Sequence, residues 1–303
     1  GEESERAPGS ERVVSGGMGG KVVVITGSNV GIGKETAVGL AAMGATTVLA
    51  CRNRAKADAA AAEVKERAAS DDVHVVDLDL GNSSSIKAAA ADVLGRWDRL
   101  DVLVNNAGGI WSERTLTADG FEQTFGVNHL GPFLFTSLLL DRLKASAPSR
   151  IVNLSSVGHH FAFGGLDWAD LQSEHGYSAM DVYGKSKLAN VLFTRELARR
   201  LDGTGVTANA VHPGPVRSGF GMDGDMAGLM GLSMKLVRPF EISPVTGART
   251  SIKLASAPEL AGHTGEYWAR GRKGHLSKNG ADAAAAARLW DESEKLWAGV
   301  ATG

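Results

Sequence analysis

Two side chains within Asp181–Asn190 (DVYGKSKLAN) could together move a proton. Tyr183 carries a phenol and Lys187 an ammonium, four residues apart. Apolar Val182, Leu188 and Val191 give the stretch a helical period, and Lys185 can face water. On a helix, residues four apart lie one turn apart on one face, so both groups can serve one site. A free phenol titrates near ~10 and carries protons poorly at neutral pH. A cation held close favours phenolate and lowers that value, which would make Tyr183 usable as a general acid or base. A tyrosine and a lysine at this spacing are also common on plain helix surfaces. The pair therefore needs a scaffold that brings a ligand to it.

That scaffold begins near the start of the chain. Lys21–Thr26 (KVVVIT) is a continuous β-branched run, the pattern of a strand buried on both faces. It leads into Gly27, Ser28, Asn29, Val30, Gly31, Ile32 and Gly33, then into a helix reaching about Met43 and ended by Gly44. Strand, glycine loop and helix form the setting of a phosphate cradle. Glycines let the backbone turn tightly and approach a pyrophosphate, while the helix N-terminus offers free N–H groups and a positive dipole. The spacing is GxxxGxG rather than GxGxxG, and glycines at such a turn can also serve packing alone. With its flanking elements the loop reads as nucleotide-binding. The next strand, Thr46–Ala50, ends in Cys51, Arg52, Asn53 and Arg54. NAD-selective proteins of this architecture place an acid here for the ribose 2′-OH. Neutral Cys51 followed by cationic Arg52 suits a 2′-phosphate in charge and bidentate geometry, so NADP(H) is expected over NAD(H).

Further strands deliver polar groups to the same edge. After an Ala-rich helix over 55–70, Asp72–Val76 runs into Asp77, Leu78, Asp79 and Leu80. Asp79 could accept from an adenine amino group or cap the helix that begins near Ser84. Leu100–Val104 precedes Asn105, Asn106, Ala107 and Gly108, small residues against which a cofactor can lie. One long helix is expected over 118–145, with Phe121, Phe125, Leu134 and Leu138 on its apolar stripe. Asn128 sits within it, against helix propensity. Arg150–Leu154 delivers Ser155 and Ser156, and the segment 157–180 reads as irregular. His159 and His160 invite a metal or triad reading, but no third ligand has suitable spacing and no GxSxG elbow occurs. They read as loop residues near the site, and no metal is expected. Val206–Val211 leads to His212, Pro213 and Gly214, and residues 219–240, rich in Gly and Met, read as a lid over an apolar ligand. A helix over 244–254, a last strand over 265–269 and a helix over 281–298 complete the chain.

Composition narrows the function classes. With 303 residues and 43% hydrophobic content the chain can bury a sizeable core. A formal net charge of −2 gives no bulk attraction to nucleic acid or anionic membrane. Cys51 is the only cysteine, which excludes an intrachain disulfide. No apolar run reaches the ~18 residues of a membrane span; the richest candidate, Leu130–Leu143, is broken by Gly131, Pro132 and Asp141. A soluble cytoplasmic protein is expected. Residues 1–20 are charged, Gly-rich and expected to be disordered or loosely attached, without the basic start and apolar centre of a secretory signal. No internal repeat or second boundary interrupts 21–303, which reads as a single domain.

Strands alternate with helices at a βα rhythm, which argues for a doubly wound parallel sheet of about seven strands with helices on both faces. In order, TGSNVGIG, NNAG, the Asn of GVNHLG, VNLSS, YGKSK and HPGPV resemble the motifs of the short-chain dehydrogenase/reductases, over about residues 21–270. CRN, VNLSSVGHH, YGKSKLANVLFTRELARRL and AVHPGPVRS look most like the retinol dehydrogenase-like branch. The resemblance implies a Rossmann-type NADP(H) oxidoreductase acting on a small-molecule carbonyl or alcohol, and the 157–180 segment and the 219–240 lid make a bulky, mostly apolar ketone, aldehyde or alcohol the expected substrate. It implies that Tyr183 exchanges a proton with the substrate oxygen. Lys187 would lower the Tyr183 pKa and bind the nicotinamide ribose. Ser156, the second of two serines, would hydrogen-bond the carbonyl, and Asn128 would help hold a water relaying protons to Lys187. Gly27, Gly31, Ile32 and Gly33, with Ser28 and Asn29 in the same loop, would line the pyrophosphate. Arg52, with Asn53 beside it, would take the 2′-phosphate; Asp79 and Leu80 the adenine; Asn105, Ala107 and Gly108 the adenosine ribose. Pro213, Gly214, Val216 and Ser218 would border the nicotinamide. Family members are often homodimers or homotetramers. Many members of the branch carry an N-terminal membrane anchor that this chain does not show, and its Gly- and Ala-heavy composition fits a bacterial relative. Two rivals share the scaffold. One is a catalytically idle NADP-binding regulator, whose mark would be loss of Tyr183, Lys187 or Ser156. The other is a nucleotide-sugar epimerase or dehydratase, which needs a larger C-terminal domain.

Overall fold

The computed structural model describes residues 17–214 and 242–300. The expected lid, 219–240, lies outside the described residues, as do Val216 and Ser218. The continuous apolar runs become the inner strands of one sheet: β1 (Val22–Thr26), β2 (Thr46–Cys51), β3 (Val73–Asp77), β4 (Val102–Asn105), β5 (Ser149–Leu154), β6 (Val206–His212) and β7 (Tyr267–Ala269). They lie in the order β3-β2-β1-β4-β5-β6-β7, all parallel. The sheet is one strand wider than the seven expected. Gly271, in a left-handed turn at φ 73°, reverses the chain into β8 (Arg272–Lys273), antiparallel to β7.

Helices cover both faces, because a parallel crossover must pack back onto the sheet. α1 (Gly31–Ala42), α2 (Arg54–Ala68) and α6 (Pro244–Ser256) bury Leu40, Val64 and Leu254 with Ile25 and Leu49 on one face. α3 (Ser83–Arg96), α4 (Gly131–Ala145) and α5 (Ala179–Arg200) bury Ile86, Leu139 and Leu197 with Leu103 and Ile151 on the other. The C-terminal helix α7 (Ala283–Val300) lays Leu289, Trp290 and Trp297 over α5 and the start of α4. Among the described residues, no helix is long and apolar enough to cross a membrane. Exposed edge strand β3 is shielded from further pairing where the Arg96 guanidinium donates to the Val75 carbonyl at 3.1 Å.

Three expectations need correction. Of the expected tail, 1–20, the described end is tied down: Met18 is buried, its N–H donates to Met43 O at 2.9 Å, and its carbonyl accepts from Lys21 N. The single helix over 118–145 does not form. Gly120 takes φ 83°, and Glu122 uses its carboxylate to cap Thr124 and Phe125 N–H, so the helix starts at Gln123. After one turn, Gln123–Phe125, it widens into a π turn, Gly126–Leu130, closed by Gly131 N–H to Gly126 O, before α4 resumes. Leu138 is off the buried stripe and 38% exposed; Phe133, Leu139 and Leu143 fill it instead.

Candidate active site

Three elements converge on Tyr183 and Lys187. The β5 strand ends at Leu154, and its exit places Ser155 and Ser156 differently. The Ser155 hydroxyl is buried and donates to Lys187 O at 2.8 Å, tying strand to helix. Ser156 starts a 3-10 turn over Val157–Phe161; its hydroxyl accepts from Gly158 N–H at 3.0 Å and hydrogen-bonds the Tyr183 phenol. Helix α5 presents Tyr183 and Lys187 one turn apart, with the Lys187 Nζ 5.5 Å from the Tyr183 ring centroid. Lys185, on the outer side, pairs with Asp181 at 2.7 Å.

The third element is the loop after β4. Asn128, in the π turn and fully buried, accepts from Gly109 N–H at 2.7 Å and donates to Gly109 O at 2.9 Å and Ser186 Oγ at 3.0 Å. It therefore joins loop, π turn and α5. A π turn inside a helix re-aims side chains and is frequent at functional sites. Both Asn128 amide hydrogens are engaged, so any water it holds can only donate to its oxygen. A Cβ on Gly108 would lie 3.0 Å from Asn128 Oδ1 and 3.2 Å from Lys187 Nζ, so only glycine leaves this corner free.

The electrostatics differ from the expectation at Tyr183. Burial, the larger influence, pushes its phenol above the usual tyrosine range, and the Ser156 hydrogen bond draws it partway back. Burial acts on Lys187 too, bringing its ammonium down to about 8. No described residue offers that ammonium an ion pair, although it is 4% exposed. A buried ammonium without a carboxylate fits a sugar hydroxyl or another neutral acceptor.

The glycine loop also fits a dinucleotide. Gly27 and Gly31 take φ 63° and 59°, conformations that favour glycine. A Cβ on Gly33 would run into Asn106 Nδ2, Gly27 O and Ser28 Cα. Val30, just before α1, gives it no side-chain cap, whereas Asn53, Asn82 and Ser243 cap α2, α3 and α6. The free N–H groups at α1 thus suit a pyrophosphate. Ser28 is buried with its hydroxyl donating to Ile25 O, so only its backbone faces the loop; Asn29 is partly exposed beside it. Cys51 is buried 3.7 Å from Ser28 Oγ, while Arg52 is exposed with no ion pair among the described residues. Asn53 uses its oxygen on Lys56 N–H.

Asp79 does not cap α3, which Asn82 does; its carboxylate accepts from Gly81 N–H at 2.9 Å, and Leu80 is buried beside it. Asn105 turns into the core, donating to Thr136 and Asn153, and leaves the border to Ala107 and Gly108. Pro213 follows β6, and Gly214 takes φ 96°. His159 Nδ1 donates to Ser156 O, 2.7 Å away, and His212 Nδ1 accepts from Val157 N–H; burial lowers each to about 4. Among the described residues no group of acids, histidines and cysteines could hold a metal.

Sequence reasoning passed over Thr26, Asn106 and Ser186. Thr26 Oγ1 accepts from both Asn106 and Ala107 N–H, and Asn106 Nδ2 donates to Thr26 O and Gly27 O, locking the two loops together. Their signal was position: a hydroxyl at a strand's C-terminal end and the second Asn of NNAG. A hollow of about 590 Å³ lies away from all this, along β3 between α2 and α3, lined by Arg54, Asp58, His74, Asp77 and Arg96.

Residues 21–225 match the family model for short chain dehydrogenase. The chain belongs to the short-chain dehydrogenase family. This short-chain dehydrogenase is 46% identical over 297 residues to retinol dehydrogenase 12 of Homo sapiens, covering 96% of this chain and 92% of that one. It falls in the retinol dehydrogenase-like branch of an oxidoreductase family that uses nicotinamide cofactors. Among solved structures it resembles an uncharacterized protein from Mycobacterium paratuberculosis (34% identity, TM-score 0.75, 93% and 95% of the two chains). It also resembles the Pseudomonas aeruginosa RhlG/NADP active-site complex (25% identity, TM-score 0.65, 84% and 95%).

Proposed function

We propose that this short-chain dehydrogenase is an NADP(H)-dependent carbonyl reductase or alcohol dehydrogenase for a bulky, mostly apolar ketone, aldehyde or alcohol. The observation that carries the reading is the Tyr183 phenol hydrogen-bonded to Ser156 at the mouth of the β5 strand, with Lys187 one turn away. Ser156 and Tyr183 orient a carbonyl oxygen by hydrogen bonds, and Tyr183 passes its phenolic proton to that oxygen as negative charge develops there. When bound, the nicotinamide supplies the hydride, or accepts it in the reverse direction. Lys187 holds a positive charge beside the phenol as the proton leaves. Asn128 keeps Gly109 and Ser186 in place around that charge.

Arg52 supports NADP(H): a free, exposed guanidinium after β2 suits a 2′-phosphate. The apolar substrate is supported by Val157, Phe161, Phe163 and Met180, all exposed on the segment that joins Ser156 to Tyr183. Pro213 and Gly214, with Val216 and Ser218 beyond the described residues, border the nicotinamide in this reading. A bacterial source, a cytoplasmic location and a homodimer or homotetramer belong to it as well.

The test follows absorbance at 340 nm with NADPH and then NADH against ketones, aldehydes, quinones and steroids. NADPH-selective turnover that falls on the order of 10²–10⁴-fold in Tyr183→Phe, with NADPH binding retained, is the expected result. Tight NADPH binding without turnover would favour the idle regulator, and NADH preference would overturn the reading of Arg52.

A further inference from the structure

The π turn that carries Asn128 is gripped from both sides. On the site side Asn128 holds Gly109 and Ser186. On the far side the grip comes from α7, a helix beyond the matched residues 21–225. The indole Nε1 of Trp297 donates to Leu130 O at 3.0 Å, and Ser293 Oγ lies 2.8 Å from His129 Nε2. Ser293 and Trp297 stand four residues apart, hence on one face of α7. The Ser293 hydroxyl already donates to Leu289 O at 2.7 Å, so the imidazole must donate from Nε2. His129 Nδ1 is then buried without a hydrogen bond of normal length, among Phe125, Phe133 and Phe193 with the Asn190 side chain nearby. A buried, unmatched ring nitrogen is an unfavourable feature that looser packing would relax. Two consecutive residues after Asn128 are thus fixed in place by α7, within a helical geometry that does not persist without support.

We infer that Ser293 and Trp297 are positioning residues: by pinning His129 and Leu130 they hold the π turn open and aim Asn128 at Gly109 and Ser186. The inference rests on the reading of the site as catalytic. Neither residue touches the reacting groups. Their effect passes through the backbone of the turn.

Trp290 supplies the control. It lies on the same helix and packs on Phe133 and Phe193, but its indole N–H goes to Glu294 of α7, not to the π turn. The experiment compares Trp297→Phe, Ser293→Ala and Trp290→Phe in the full chain, reading kcat and KM with NADPH, melting temperature, and hydrogen–deuterium exchange of residues 126–131. Trp297→Phe and Ser293→Ala should lower kcat on the order of 10-fold with KM nearly unchanged, and should speed exchange at 126–131 roughly 10-fold. Trp290→Phe should leave both unchanged even where it lowers the melting temperature as much. Equal kcat losses in Trp297→Phe and Trp290→Phe, or faster exchange at 126–131 with kcat intact, would overturn the inference. Absence of turnover in the unaltered protein would instead overturn the catalytic reading, and the exchange pattern would still decide whether α7 holds the turn.

Discussion

Burial acts on Tyr183 and Lys187 in the same sense, against charge on either. The phenol rises above its usual range and the ammonium falls to about 8, so the ligand-free site holds a neutral phenol beside a weakened cation. Lys187 is protonated below about 8, and carbonyl reduction should therefore decline as pH rises through that value. Its effect on stability has the opposite tendency. The unfolded chain binds this proton more tightly, so the penalty is full below about 8 and is relieved as pH climbs towards the unfolded value of 10.5. Lys187→Met should consequently stabilise the ligand-free protein at pH 7 by about 1–3 kcal/mol, measured by urea unfolding, while removing most turnover. A destabilised variant would show that the ammonium is better solvated than its burial implies. At this scale the sequence was legible where residue type and spacing carry the chemistry, as with Tyr183, Lys187 and Ser156. It was not legible for the sign at Tyr183, because desolvation depends on everything packed around a group and not on its neighbour one turn away.

Elements differ in how their helices begin: α2, α3 and α6 are closed by a capping side chain, and α1, at the glycine loop, is not. Asn82 closes α3 with bonds to Ser84 and Ser85 N–H, whereas Val30 contributes no side-chain bond to α1. Val30→Asp should cap α1 and raise the stability of the ligand-free chain by about 1 kcal/mol, read as a higher urea midpoint. The same carboxylate would repel a pyrophosphate, so NADPH affinity should fall by about 10-fold or more. If affinity held, the α1 N-terminus would not be the phosphate site. Strands and helix starts were readable from β-branched runs, glycines and caps. The π turn was not, since one inserted residue per turn leaves no periodic mark in GVNHLG. Its location depends on contacts distant in sequence: Leu80 packed against Gly131, and Trp297 on Leu130.

Over the whole molecule, three histidines sit in the fold as neutral groups. Burial lowers His129 to about 3, and His159 and His212 to about 4. Each is protonated more readily in the unfolded chain, so stability is full above ~6.5 and is lost as pH falls from there towards the folded values. The urea midpoint should drop steadily between pH 6.5 and 4.5. A flat profile would mean that these rings are already solvated. The sheet with its two helical layers was legible from the βα rhythm, but the role of the C-terminal helix was not, because nothing in Leu289–Trp297 says what it will cover. Chain synthesis adds a consequence. Trp297 reaches Leu130 across 167 positions of sequence. The ribosome translates every described strand of the sheet before it translates α7, so the strands' sequence is in place ahead of the helix that grips the π turn. The contacts that hold the π turn therefore come late in synthesis, and a chain interrupted before α7 would lack them even where its strands have paired.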